Sequence, residues 1–240
     1  MYFVPLVVFA LKRMIAPQLL PTLILLLVLG GAQGLLGWYM VQSGLVDRPS
    51  VSQYRLTAHL GVAVAIYALM MWVLLRVGAG LSPALKHIGL PGGVLLVGVY
   101  TLILSGGFMA GTDAGFAYPT WPLMGETFVP AGYYAQGWQA TFEGVATIHF
   151  NHRMLAYAVT LLVIFFSVQT IRTAEGGRAR GSAMLMLAVI TAQLLLGIAT
   201  VMTHVAIPIA ATHQVGAVLL LTAILYWIHA QSDKKLVTSE

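Results

Sequence analysis

The stretch "IHFNHRMLAYAVTLLVIFF", residues 148–166, decides how the chain is read: two histidines and an arginine stand on the lip of an unbroken apolar run. Crossing the hydrocarbon core of a bilayer takes about 20 mostly apolar residues in helical form. The run that begins at His152 meets this requirement over 152–171. Working outward, five more stretches do so: 19–41, 57–76, 92–111, 183–203 and 208–230. A seventh, 2–11, is too short to span and ends at Lys12 and Arg13. Hydrophobic residues make up 59% of the 240 and charged residues 8%, with a mean hydropathy of +0.89. A soluble domain carries about a quarter charged residues. The sequence therefore predicts an all-α integral membrane protein, a helical bundle of six complete transmembrane helices plus a short amino-terminal partial one.

The net charge of +5 does not mark a nucleic-acid binder, because the basic residues stand apart between apolar runs and form no patch. In a membrane chain they report orientation. With Lys12 and Arg13 cytoplasmic, alternation of the spans puts Arg76, Lys86, Arg172, Arg178, Arg180, Lys234 and Lys235 on the same side, nine of the twelve basic residues. Arg48, Arg55 and Arg153 stay on the outer face. The long outer segment 112–148 holds Asp113, Glu126 and Glu143 and no Lys or Arg. The carboxy terminus is thus expected in the cytoplasm. The chain has no cysteine, which excludes disulfides, thiolate metal sites and cysteine nucleophiles within it. Its opening "MYFVPLVVFALKRM" runs from apolar to basic, the reverse of a secretory signal.

An internal repeat follows. "AQGLLG" at 32–37 recurs as "AQLLLG" at 192–197, an offset of 160. Each copy leads through an outer loop to a helix that opens with a small residue, a histidine and then a glycine: "TAHLG" at 57–61 and "ATHQVG" at 211–216. The second loop is six residues shorter, so the histidines are 154 apart. The chain divides into an amino-terminal half, 1–91, and a carboxy-terminal half, 92–240. The second half holds four helices and the first only two complete ones, with residues 1–13 matching 161–173 in apolar run and basic end. The repeat partner of His152 would fall before Met1. The sequence is therefore expected to be amino-terminally incomplete, short of one helix, most of another and a fourth histidine.

His59, His152 and His213 are each predicted in the first turn of a helix, at the outer membrane level. Polar groups inside a bilayer are costly and face the bundle interior or a cavity. One such histidine needs no explanation beyond an interfacial side chain that bonds a carbonyl. Three at one height on repeat-related helices point to an iron porphyrin, gripped by imidazoles from different helices. His152 and His213 meet that requirement as the second and fourth helices of one half. By the repeat, His59 plays in the first half the part of His213. Arg153 offers a fixed cation suited to a porphyrin carboxylate, or is an ordinary interfacial arginine. Arg55, one turn before His59, has the same two readings. His149 is three residues from His152 and can act as a proton carrier or support for it; a loop histidine is the preferred reading. His87, His204 and His229 are taken as structural.

The glycines of "GGAQGLLG" (30–37) and "SGGFMAG" (105–111) allow close helix approach, or a flat ring against a backbone. Trp38, Tyr39, Trp121, Tyr133, Tyr134 and Trp138 read as an interfacial aromatic belt. The segment "GTDAGFAYPTWPLMGETFVP" reads as an ordered cap over the outer mouth of the second bundle.

The motifs "QGLLGWYMVQSGL", "VSQYRLTAHLG", "GGFMAGTDAGFAYPTWPLMG", "FNHRMLAY" and "IPIAATHQVGA" together resemble the heme A synthase family, in its proteobacterial and mitochondrial branch. The resemblance covers nearly the whole chain. It implies an eight-helix, two-bundle, pseudo-symmetric architecture in a bacterial inner membrane, or the mitochondrial one in a eukaryote. It implies a heme b cofactor in the carboxy-terminal half on His152 and His213, with iron as the metal. It implies the substrate, heme O, in the amino-terminal half, with His59 as an iron ligand. The implied reaction oxidises the porphyrin C8 methyl to a formyl group with water as oxygen source, giving heme A for cytochrome oxidase assembly. Electrons would leave through heme b to an acceptor the motifs do not name. Implied partners are the lipid bilayer, heme O synthase, cytochrome oxidase assembly factors and, in some arrangements, further copies of the chain. The family's first helix, the loop after it and the first histidine motif find no counterpart here. That loop carries a glutamate needed for the chemistry, so no catalytic acid is assigned. These 240 residues alone are expected to bind heme b without turning over heme O.

Two other classes compete. A bis-histidine membrane cytochrome b relaying electrons to quinone would use the same ligand pair, but has no use for a second histidine site. A transporter would explain the repeat, yet no charged residue falls near mid-membrane and no broken helix pair occupies matching positions.

Overall fold

The computed structural model describes residues 2–44, 51–80 and 88–232. Arg48, Lys86, His87, Lys234 and Lys235, which entered the orientation and histidine readings above, lie outside them. The fold is all-helical: α1 (Phe3–Leu11), α2 (Leu20–Gly44), α3 (Gln53–Gly78), α4 (Gly89–Gly111), α5 (Ala140–Glu143), α6 (Val145–Thr173), α7 (Gly177–Met202) and α8 (Ile207–Ser232). Six of these, all but α1 and α5, are long and apolar enough to cross a membrane. The shortest of the six, α4, has 23 residues, or ~35 Å at 1.5 Å per residue, against a hydrocarbon core of ~30 Å.

Local sequence explains the helix ends. Pro21, Pro91 and Pro208 sit in the first turns of α2, α4 and α8, where a missing N–H costs nothing. Within the spans, hydroxyl side chains bond back to the preceding turn, as in Thr200 to the Leu196 carbonyl and Thr222 to the Val218 carbonyl, 2.7 and 2.8 Å. These hydroxyls therefore need no water there.

Helices α4, α6, α7 and α8 form a ring in which each packs on its neighbours in that order and α8 closes on α4. Helix α3 packs on the outside of this ring against α4 and α8, and α2 packs on α3. Thus α6 and α8 stand diagonally across the ring, and both run in the same direction. At the end remote from the histidines they meet: Trp227 Nε1–H donates to Thr170 Oγ1 at 3.0 Å, and Gln231 Nε2 donates to the same oxygen at 3.1 Å. That half of the ring is filled by a contiguous core including Leu95, Val163, Met186, Leu221, Ile224 and Ile228. Arg76, Arg172, Arg178 and Arg180 fall at this end.

All the spanning helices but α2 start earlier than the apolar runs predict. Helix α6 begins at Val145, not 152, because "VATIHFN" contains three polar residues and reads as loop. In the fold Thr147 and His149 are both fully buried, since the segment before α5 lies over them. Tyr134 N–H donates to Thr147 Oγ1 at 3.0 Å. Helix α3 likewise begins at Gln53. His59, His152 and His213 are therefore not in first turns. They are the seventh, eighth and seventh residues of α3, α6 and α8, ~9–11 Å along each helix from its start.

Glycine sets the closest approaches. A Cβ on Gly111 would stand 2.6 Å from Gln53 Cα, and one on Gly92 2.8 Å from Ile228 Cγ1, whereas one on Gly93 meets nothing within 4 Å. Gly111→Ala should cost about 1–3 kcal/mol by forcing α3 off α4 and lower the thermal midpoint in detergent. Gly93→Ala should leave the midpoint unchanged or raise it. Equal effects from the two would contradict the backbone contact.

Candidate functional site: a histidine-lined cavity

Where the core ends, the ring opens. Between that core and the loop over the histidine end lies a cavity of about 740 Å³, inside the ~300–1,000 Å³ range of small-molecule sites. Its walls are apolar, with Val99, Leu102, Ile103, Ile190, Leu194 and Val218 among them. His152 and His213 both line it. They come from the diagonal helices α6 and α8, so they enter from opposing sides at matching depth. The two histidines predicted to act together are thus brought together.

Each is seated by a neighbour the sequence reading left out. His152 Nδ1 lies 2.7 Å from Ser105 Oγ on α4. A Cβ on the next residue, Gly106, would stand 3.6 Å from His152 Cε1. A Cβ on Gly197 would stand 3.0 Å from His213 Cε1 and 3.6 Å from its Nε2, so only glycine leaves that imidazole its full room. Gln193, one turn earlier on α7, donates from Nε2 to the His213 carbonyl at 3.0 Å.

His59 stands apart from this cavity. A Cβ on Gly37 would be 3.2 Å from its Cε1, the counterpart of the Gly197 contact at the repeat offset of 160. The amide N–H of Gln33, counterpart of Gln193, donates to His59 Nε2 at 3.2 Å. The repeat seen as "AQGLLG" and "AQLLLG" is therefore physical. Its glutamine and its last glycine are the residues that touch the histidine of the following helix. The signal was in the sequence; what it positioned was not.

Arg153 is 93% buried, at 7% exposure, and its guanidinium is a clamp. Nε donates to His149 Nε2 at 3.1 Å. NH1 donates to the Leu123 carbonyl at 3.2 Å, and NH2 to those of Tyr118 and Thr120 at 3.1 and 2.7 Å. Three carbonyls of one loop thus converge on one cation. One N–H, on NH1, is left over at the cavity rim. Because Arg153 can only donate, His149 Nε2 must accept, which places the ring hydrogen of neutral His149 on Nδ1. His149 is thus a fully buried helical residue that braces Arg153 and lines the cavity, not the loop histidine expected.

The same loop closes the mouth. Ala114 is fully buried, Asp113, Phe116 and Trp121 line the cavity, and Trp121 Nε1–H donates to Tyr157 Oη on α6 at 2.9 Å. The ordered cap read from composition is present. Arg55 is held elsewhere: its guanidinium lies 3.9 Å over the Tyr39 ring and NH1 donates to the Tyr39 carbonyl at 3.2 Å. His204 is exposed in the turn after α7 and His229 is buried at the far end of α8. Neither lines the cavity.

A family profile described as "Cytochrome oxidase assembly protein" matches residues 1–225. The chain is 42% identical over 238 residues to a protein named heme A synthase from Nitrosospira multiformis, covering 95% of this chain and 66% of that one. It is 43% identical to the heme A synthase of Rhodospirillum centenum, covering 94% and 62%, and 41% identical to that of Parvibaculum lavamentivorans, covering 95% and 66%. The chain thus spans just under two thirds of the length of these relatives.

Replacing Arg153 by Lys keeps the charge but not the fork that reaches four acceptors. Arg153→Lys should ease local opening of the 118–124 loop by about 1.5–3 kcal/mol, measured as faster amide hydrogen exchange there. Exchange at the unaltered rate would show that the clamp does not hold the cap.

Proposed function

The chain belongs to the cytochrome oxidase assembly protein family, and from that premise we propose that it serves heme A synthesis, with its carboxy-terminal half, 92–240, as the seat of a heme b cofactor. One observation supports this above the rest: two imidazoles face one apolar cavity from diagonal, parallel helices. The donor set fits an iron porphyrin. Imidazole nitrogen is a heme ligand, two imidazoles reach the cavity from opposing helices, and the walls between them are hydrocarbon. When bound there, the heme supplies one-electron redox chemistry.

The protein's part is to hold and shield. His152 and His213 are the iron ligands in this reading, and the remaining NH1 hydrogen of Arg153 and the Tyr157 hydroxyl are the polar groups at the rim for a propionate. The loop clamped by Arg153 lies over the histidine end of the cavity. His59, braced by Gln33 and Gly37 in the amino-terminal half, 1–91, serves as the iron ligand for heme O as substrate. The conversion of the C8 methyl and one water to a formyl group releases four protons and four electrons, which an external electron acceptor has to take up. Such chemistry needs a second heme site beside the first. A cytochrome that only relays electrons has no use for the third imidazole at the same depth. We place the histidine end on the outer side of the membrane and the carboxy terminus in the cytoplasm, on the distribution of basic residues.

His152→Ala and His213→Ala should each abolish the low-spin b-type spectrum of the purified protein, while His59→Ala should leave it intact. Retention of that spectrum in either of the first two variants would eliminate the ligand pair. For the orientation, a reporter inserted near residue 135 should be active only outside the cytoplasm, and one fused after residue 235 only inside. The reverse pattern would invert the assignment.

A further inference from the structure

Ser105 carries one hydroxyl hydrogen and has two short contacts. Its Oγ lies 2.7 Å from the Leu102 carbonyl, one turn back on α4, and 2.7 Å from His152 Nδ1. The carbonyl oxygen can only accept, so a contact of this length needs the serine hydrogen between the two oxygens. The hydroxyl then has only lone pairs to offer the imidazole. His152 must donate its hydrogen from Nδ1, which leaves the lone pair on Nε2.

We propose that Ser105 is a positioning residue for heme binding: the relay His152 Nδ1–H to Ser105 to the Leu102 carbonyl fixes the imidazole tautomer and strengthens Nε2 as a ligand to iron. This rests on the heme b reading given above. A hydrogen bond from the far ring nitrogen fixes ring orientation and raises ligand basicity. Chained donors polarise one another, and the end of this chain is a helix backbone that does not move. The ring packs directly on α4, where a Cβ on Gly106 would stand in ordinary contact with Cε1 at 3.6 Å. The stretch "SGGFMAG" therefore does two things: its later glycines admit α3, and its first two residues receive His152. A more basic imidazole stabilises ferric over ferrous iron, so the relay lowers the reduction potential of the bound heme.

The test uses the whole purified chain, loaded with heme b and titrated potentiometrically. Ser105→Ala should keep the low-spin spectrum and raise the midpoint potential by about 59 mV, the equivalent of a tenfold change in a one-electron equilibrium. Ser105→Thr, which restores the hydroxyl, should return it to the unaltered value. An unchanged midpoint in Ser105→Ala, with His152→Ala still losing the low-spin spectrum, would overturn this inference alone. Failure of the unaltered chain to bind heme, or a low-spin spectrum surviving in His152→Ala, would overturn the cofactor reading and this inference with it. A second readout does not depend on the variant folding. In the unaltered heme-free chain labelled with nitrogen-15 histidine, the His152 signal, identified by its loss in His152→Ala, should report hydrogen on Nδ1. Hydrogen on Nε2 would overturn the proposal.

Discussion

The shape of the site depends on a junction at its far end. Trp227 and Gln231 both donate to the Thr170 hydroxyl, which ties the diagonal helices α6 and α8 together where the ring is solid. Four helices in a ring have to meet somewhere along their axes, and close packing does not tolerate a long void in a soft assembly. Meeting at one end lets α6 and α8 part at the other without collapse. The cavity is thus the space left by a core that occupies half the helix length. The inward-facing histidines occupy the opened half. Imidazoles that faced lipid would be costly; these two line a cavity with a loop over it.

That roof explains why an arginine is buried at the lip. A guanidinium at 7% exposure must have its donors met, and nearly all of them are met by loop carbonyls and His149. The Leu123 carbonyl also accepts from Thr120 Oγ1, while those of Tyr118 and Thr120 accept from Arg153 and would otherwise be left to find another donor. The clamp satisfies both sides at once, and it fixes the loop to the helix that carries His152. Roof and candidate ligand are therefore joined through one side chain.

The spans, their number and the pairing of His152 with His213 were legible from hydropathy and repeat alone, because a bilayer demands long apolar runs and punishes stray polar groups. The start of α6 was not legible. "VATIHFN" is polar by composition, and only the tertiary cover over Thr147 and His149 makes it helical and buried. Arg153 was legible as a fixed cation but not as a clamp, since its acceptors are backbone carbonyls 30 or more residues away, and a carbonyl leaves no mark in a sequence. Ser105 was visible only as one small residue among several. Its role depends on the rotation of α4 against α6, which no single-sequence pattern encodes.

The repeat shows how one local device can serve two different ends. In both halves a glutamine and a glycine, one turn apart on one helix, meet the histidine of the next. Gly37 and Gly197 do the same work, clearing the space beside an imidazole. The glutamines diverge. Gln193 bonds the backbone of residue 213 and leaves that ring to the cavity, whereas Gln33 bonds the ring of His59 itself. A neutral hydrogen bond of this kind is worth about 0.5–1.5 kcal/mol net, far below the strength of a metal–nitrogen bond. His59 is therefore held but not locked, while His213 stands open from the moment the fold closes. Seating is thus shared by the two histidines, while the occupancy of the ring nitrogen differs.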